Sequence, residues 1–343
     1  MPAVSVIIPT RNRGAYLTEA LQSVCEQTFG DFEVIVVDDG SEPPVDAVGV
    51  AHAEPRIRMI RQTHAGRSAA RNRGLAQATG RYLAFLDDDD TYLPNKLADQ
   101  VSFLETHPGE SVVSAGAIYV DEQGRELGEF SPWDQGTALT FADALYGTRM
   151  ITSTVLFRRG LLDRMDEWFD PEMDLAEDGD FFLRLMYYAG QATILPISVS
   201  TYRLRGNDCT GGGSRASAAY RQVIDKAYRL PGLPEESLRS RDRVYAHLYL
   251  VCGCRAYAVR DAEHAREQLE AAVKLDAAYV EAELPATLAR FAGRRLNDPR
   301  PYVDYAMDNL PPALTAMISR KKEVYRAFLQ RQAASWKSAT HEG

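Results

Sequence analysis

Val4-Ser5-Val6-Ile7-Ile8 is a β-branched run that stops at Pro9, where Thr10-Arg11-Asn12-Arg13 begins. The pattern recurs twice. Phe32-Glu33-Val34-Ile35-Val36-Val37 stops at Asp38-Asp39-Gly40-Ser41, and Tyr82-Leu83-Ala84-Phe85-Leu86 stops at Asp87-Asp88-Asp89-Asp90. Short, nearly continuous apolar runs rich in Val and Ile read as strands buried on both faces. A weaker run lies at 56–60. Between the runs, Tyr16, Leu17, Ala20, Leu21 and Val24 recur at helical spacing, as do Ala69, Ala70, Leu75 and Ala78, with Gly80 placed to cap the second helix. This rhythm predicts successive βαβ units, hence an α/β fold with a mostly parallel central sheet flanked by helices.

Beyond residue 110 the texture changes. Segments 111–120 and 126–130 flank Asp121-Glu122-Gln123-Gly124, which reads as a hairpin turn. Strands are expected at 152–157 and 194–202, with a helix over 178–188 between them. The turn-rich stretch 205–214, with three adjacent glycines, is expected to be a loop, either a lid or a linker. Almost everything after it reads as helix, punctuated by Pro231, Pro234, Pro285, Pro299, Pro301 and Pro311-Pro312. The expected division is an α/β domain over 1–205, a linker over 206–235, a helical region over 236–332 and a frayed tail over 333–343.

Composition narrows the function. The 343 residues include 48 Asp plus Glu against 39 Lys plus Arg, a net charge of −9, with 45% hydrophobic and 25% charged residues. That balance is globular, and it lacks the clustered basic surface that nucleic acid or anionic lipid would require. The richest apolar stretch, 244–259, is broken by His247 and Arg255 and falls short of the ~18–20 residues of a membrane helix. Met1-Pro2-Ala3 leads straight into the first strand without a basic region or cleavage site, so no secretory signal is expected. Cys25, Cys209, Cys252 and Cys254 are too few for a disulfide framework and fit reduced thiols in a cytoplasmic protein. Cys252 and Cys254, two apart on a helix, read as packing residues rather than metal ligands.

All three polar clusters fall at the carboxyl ends of predicted parallel strands, the edge where ligands bind in open α/β sheets. Taken singly, such aspartates serve equally as helix caps and turn formers. The run Asp87–Asp90 differs in degree, because like charges this close repel unless a cation shares the site. Mg²⁺ or Mn²⁺, held by one or two carboxylates and by substrate phosphates, answers that need. With Arg11, Arg13, Arg67, Arg71 and Arg73 nearby, an anionic substrate such as a diphosphate fits; the competing reading is a solvated acidic turn.

These stretches, with S-V-C-E-Q-T-F at 23–29, His64-Ala65-Gly66, and Ser68-Ala69-Ala70-Arg71-Asn72-Arg73-Gly74-Leu75, closely resemble family 2 glycosyltransferases in their family order over roughly 3–205. The resemblance implies a GT-A fold and transfer of a sugar, with inversion, from a nucleotide-diphosphate donor to a hydroxyl acceptor. That acceptor would be a glycan, lipid-linked or protein-linked, in bacterial cell-surface polysaccharide or glycoconjugate synthesis. Carried over by position, Pro9, Thr10 and Arg11 would line the nucleotide pocket. Asp39 would accept from the base, Asp38 would support that loop or the ribose, and Gly66 and Arg71 would border the nucleoside. Asp89 would hold Mn²⁺ or Mg²⁺, with Asp87 and Asp88 near ribose and donor sugar and Asp90 fixing the loop. The family's general base, in an E-D pair opening a later helix, corresponds to Asp178 of Glu177-Asp178. UDP is the expected nucleotide because the family mostly uses it.

There are departures. The family often carries a histidine after a Tyr-Arg pair, and Tyr202-Arg203-Leu204-Arg205-Gly206 has none; Arg203 and Arg205 are expected to close over the phosphates instead. The Gln-x-x-Arg-Trp motif and membrane helices of polymer-making members are absent, which implies single transfers by a cytoplasmic enzyme, with peripheral contact at the inner face of the membrane left open. Residues 150–154 and Trp133 lie on the expected acceptor side, Trp133 either as a sugar platform or as a packed turn aromatic. In the helical region, 247–277 resembles one tetratricopeptide-like helix pair, expected to pack on the catalytic domain because one pair cannot bury its own faces. Two rival functions remain: a haloacid-dehalogenase-type phosphohydrolase, since Asp87-x-Asp89-x-Thr91 satisfies that motif, and a non-catalytic binding module built on the helical tail.

Overall fold

A computed structural model describes residues 1–45, 54–205, 213–295 and 300–318. Most of the glycine-rich loop with Cys209, Pro299 and the tail over 333–343 lie outside the described residues. The chain forms two compact units, Met1–Arg205 and Gly206–Gly343.

The first unit runs β1 (Val4–Thr10), α1 (Gly14–Cys25), β2 (Phe32–Asp39), β3 (Ile57–Gln62), α2 (Arg67–Gln77), β4 (Tyr82–Phe85) and β5 (Thr91–Tyr92). It continues with α3 (Lys96–Thr106), β6 (Val112–Val120), β7 (Glu126–Phe130), β8 (Ala138–Thr140), α4 (Phe141–Ala144), β9 (Leu156–Arg158), α5 (Glu177–Ala189) and β10 (Gln191–Arg203). The sheet order is β3-β2-β1-β4-β9-β6-β10-β5, with β7 on β6 and β8 on β10. The half from β3 to β4 is parallel throughout. β9 then enters antiparallel to both β4 and β6, and β6 pairs parallel with β10. The strands that carry the polar clusters therefore all end at one edge, and β9 starts there.

Alternation along β1 explains the layers. Val4, Val6 and Ile8 share a core with Leu17, Ala20, Leu21 and Val24 of α1 and Leu97, Val101 and Leu104 of α3. Burial of each large apolar side chain contributes roughly 1.5–3 kcal/mol. Ile7 points the other way, under α2, where a Cβ on Gly74 would lie 2.4 Å from Ile7 Cγ2. Gly80 is not the cap of α2, which closes at Ala78. A Cβ on Gly80 would meet Ser5 N at 2.6 Å, so the glycine is needed for close approach of two backbones.

Two segments differ from their sequence reading. Residues 152–154 form a 3-10 turn, with strand only at β9, because Thr154 Oγ1 turns back to donate to Ile151 O at 2.8 Å. Trp133 is half-buried against Gly116, where an added Cβ would stand 2.5 Å from its ring, which makes it a packed aromatic.

The second unit contains α6 (Ser214–Ala227), α7 (Glu235–Arg239), α8 (Arg241–Ala258), α9 (Ala262–Arg295), α10 (Arg300–Asp308) and α11 (Pro312–Ile318). The segment expected to be linker thus carries α6. α9 breaks at Asp276, whose φ of −151° is not helical. Ala246, Leu250 and Cys254 of α8 meet Leu269 and Leu284 of α9, Val303 of α10 and Leu314 of α11 in one core. The pair resembling a tetratricopeptide repeat therefore buries its faces against further helices of its own unit. Gly253 lets α8 approach Leu269 closely. Cys252 and Cys254 are buried and free, and burial pushes both thiols up, as packing residues require. No described helix is long and apolar enough to cross a membrane.

Candidate active site

The three clusters assemble at the common edge. At the end of β2, both Asp39 oxygens are fully used. Oδ1 accepts from Gln62 Nε2 and Ala65 N, each at 2.8 Å; Oδ2 pairs with His64 Nδ1 at 2.8 Å and accepts from Gly66 N at 2.9 Å. Burial opposes the charge, but these donors hold the carboxyl below its usual range. His64 Nε2 faces Arg11 Nη1 at 3.0 Å, so the imidazole bridges an arginine and a carboxylate. Beside it, Asp38 Oδ1 accepts from Ser41 N at 2.9 Å, closing the turn, and Ser41 Oγ accepts from Asn12 N at 2.9 Å. Pro9 is half-buried at the end of β1.

The acidic turn after β4 is tight, with Asp90 N donating to Asp87 O at 3.0 Å. Asp88 is buried; it accepts from Thr10 Oγ1 at 2.7 Å and from Arg13 Nη1 at 2.9 Å. Arg13 and Arg205 both reach Asp89 through Oδ2, at 3.0 and 2.9 Å. Asp90 accepts from Ser153 Oγ at 2.6 Å and from Arg203 N at 3.0 Å. Burial, with Asp87 and Asp88 close by, pushes Asp89 up to about 6 against the pull of the arginines. Burial and the charges of Asp87 and Asp89 raise Asp90 well above the carboxylate range. Even with Arg13 and Arg205 on Asp89 and Arg71 on Asp87, Asp89 and Asp90 stay raised, and a hard cation on the oxygens of Asp89 would relieve the turn. The residues fit a divalent ion on that ground, although no cluster of three ligating side chains exists among the described residues. Substrate and water oxygens would complete such a shell.

Arg203 does not close over the site. Its guanidinium lies buried over Tyr16, donating to Asp89 O at 2.9 Å and to Glu19 Oε2 at 2.6 Å. Arg71, expected beside the nucleoside, is also buried, with Nη2 on Asp87 Oδ1 at 2.7 Å and Nη1 on Glu177 Oε1 at 2.9 Å. Asp178 follows at the start of α5, half-buried, and accepts from Gly179 N at 2.8 Å. Sequence reasoning placed Ser153 only within the acceptor-side stretch 150–154 and missed its hold on the acidic turn, where it also accepts from Asp87 N at 3.3 Å; a single serine carries no pattern that marks it.

The profile described as "Glycosyl transferase family 2" matches residues 5–165. A putative colanic acid biosynthesis glycosyl transferase, WcaA of Escherichia coli K12, is 30% identical over 199 residues, covering 55% of this chain and 68% of WcaA. Another relative is much longer: an uncharacterized glycosyltransferase of Rickettsia felis matches at 41% identity over 103 residues, 30% of this chain, and the chain spans 17% of its length. Among solved structures, residues 1–349 of Staphylococcus aureus TarS superpose with a TM-score of 0.59 at 21% identity, over 99% of this chain and 93% of that one. The mannosyltransferase PcManGT of Pyrobaculum calidifontis, solved with GDP-Man and Mn²⁺, gives 0.58 at 21% identity, over 99% and 88%. These likenesses establish the GT-A fold. Family order also disfavours the phosphohydrolase reading, since the acidic motif follows the fourth strand and three earlier motifs precede it. From its relatives, and in agreement with the strand-end clusters, the chain belongs to glycosyl transferase family 2.

Proposed function

We propose that the protein transfers a sugar from a nucleotide-diphosphate donor to a hydroxyl acceptor by a single inverting displacement assisted by a divalent metal. The observation that carries this reading is the under-neutralised acidic turn beside the Asp39 loop, at the edge where α5 presents Asp178. Thr10, Pro9 and Arg11 border the nucleotide, with Asp38 shaping the turn and Gly66 ending the base loop. Asp39 meets the base by exchanging a side-chain donor, His64 or Gln62, since Ala65 and Gly66 donate from the backbone. Asp87 and Asp88 flank ribose and donor sugar. Asp89 holds Mn²⁺ or Mg²⁺, which when bound neutralises charge on the departing diphosphate. Asp178 takes the acceptor proton as oxygen attacks the anomeric carbon. Arg13 and Arg205, already on Asp89, turn to the phosphates when the donor arrives.

UDP is the preferred nucleotide, supported by a TarS structure solved with UDP, and Mn²⁺ by PcManGT. The name of WcaA, a putative colanic acid biosynthesis glycosyl transferase, supports an acceptor in polysaccharide synthesis. Thermal shifts with UDP, GDP, dTDP and CDP, with and without Mn²⁺, test the donor site: at least one nucleotide stabilises only with metal. Asp178→Asn is expected to keep nucleotide affinity within about twofold and to lower turnover by roughly 10²–10⁴. Near-normal turnover in that variant removes Asp178 from the role.

A further inference from the structure

We propose that Arg71 is a positioning residue that ties the donor-side acidic turn to the acceptor-side base, with Glu177 as its anchor beside Asp178. The inference rests on the transferase reading above. The two arms of one guanidinium are divided between two carboxylates from distant parts of the chain, Asp87 at 2.7 Å and Glu177 at 2.9 Å. Both Arg71 and Glu177 are sealed from solvent, with side chains 4% and 3% exposed. The guanidinium lies 5.2 Å from the centre of the Phe169 ring, which stacks on Phe181 at 4.1 Å. Phe169 is fixed in turn by Asn72, which donates to its carbonyl at 2.7 Å and accepts from its N–H at 2.9 Å. The plane of the fork is therefore set by rigid neighbours.

Arg71 Nε is buried with no hydrogen-bond partner among the described residues. A buried donor left unpaired is unfavourable, so the fork is oriented by its two carboxylates rather than by full satisfaction. Arg67 Nε also approaches Glu177 Oε1, at 3.4 Å, but its side chain is 63% exposed and contributes little once solvent screens it. Ala176, just before Glu177, has a φ of +58°, a left-handed turn that a non-glycine residue holds only when its surroundings enforce it. Glu177, held by Arg71, follows directly on that turn, and Asp178 is the next residue. A shift of the acidic turn when the donor binds thus reaches the base through one planar group.

The test is a set of four variants assayed for kcat, donor KM and nucleotide affinity in the full chain. Glu177→Ala is expected to lower kcat about 10–100-fold, a loss typical of small misplacements of a reacting group, with nucleotide affinity unchanged. Glu177→Gln keeps an oxygen where Arg71 Nη1 donates and restores kcat to within about threefold of the parent. Arg71→Lys, whose ammonium cannot span both carboxylates, changes kcat and donor KM together. The double variant Arg71→Lys/Glu177→Ala has a kcat within about threefold of Glu177→Ala, because both act through one link. Independent, multiplying effects overturn the proposal, as do equal losses in Glu177→Ala and Glu177→Gln. Asp178→Asn separates the two levels: if it retains turnover, the transferase assignment of the base fails and the bridge with it. If it is inactive while Glu177→Ala turns over normally, the bridge alone fails.

Discussion

Lys96 opens α3 and is 1% exposed, with Nζ donating to Gln100 Oε1 at 2.6 Å and Val155 O at 3.4 Å over the face of Tyr92. Burial lowers its amine from an ordinary 10.5 to about 7. The unfolded chain keeps this proton up to its ordinary value, whereas the folded protein gives it up above about 7, so unfolding takes up a proton across that window. Stability therefore rises with pH between about 7 and 10.5, by up to ~1.4 kcal/mol per unit, and levels off below about 7. Across the window the effect sums to roughly 5 kcal/mol. Lys96→Met removes the titration but leaves two buried acceptors without their donor, at about 1–3 kcal/mol. The variant is expected to be more stable than the parent by roughly 2–4 kcal/mol near pH 7 and less stable by about 1–3 kcal/mol near pH 10.5. Urea unfolding of both proteins at intervals from pH 7 to 10.5 reads the difference, in which other titrating groups cancel. A difference that stays flat across that range refutes the reasoning, because it means the two acceptors and the Tyr92 ring around Nζ keep the ammonium charged.

Other outcomes are equally direct. Asp89→Asn abolishes metal-dependent stabilisation by nucleotide in a thermal shift, whereas chelating the metal from the parent gives the same loss reversibly; persistence of the shift in the variant assigns the ion elsewhere. Gly80→Ala forces a Cβ to within 2.6 Å of Ser5 N, where no flexible side chain can yield, and is expected to destabilise by about 1–3 kcal/mol or more in denaturant unfolding. An unchanged midpoint shows that the two backbones can separate there.

The strands that carry the site were legible because they are short β-branched apolar runs that stop abruptly at polar residues. Asp38, Asp39 and the 87–90 turn fall where that reading puts them, at strand ends on one edge. What stayed hidden depends on partners far away in sequence. Arg71, expected at the nucleoside, instead lies buried between carboxylates 16 and 106 residues away. Lys96 is hidden for the same reason, since lysine is almost never fully buried and nothing in its own sequence neighbourhood announces it. β9 is only three residues long, and its antiparallel direction is set by pairing with β4 and β6, which its own residues do not encode. In the helical unit one helix pair was legible as a motif, while the helices that cover it have no repeat signature.

The acidic turn also has a history in time. It is synthesised long before two of the groups that hold it: the Ser153 hydroxyl follows Asp90 by 63 residues, and the Arg203 amide by 113. A nascent chain ending near residue 150 carries the parallel strands and the crowded carboxylates without that hydroxyl or the arginines at 203 and 205. Contacts so distant in sequence form late and slowly. The half of the sheet that dictates the fold can thus collapse first, while the pocket that uses it matures only when β10 docks.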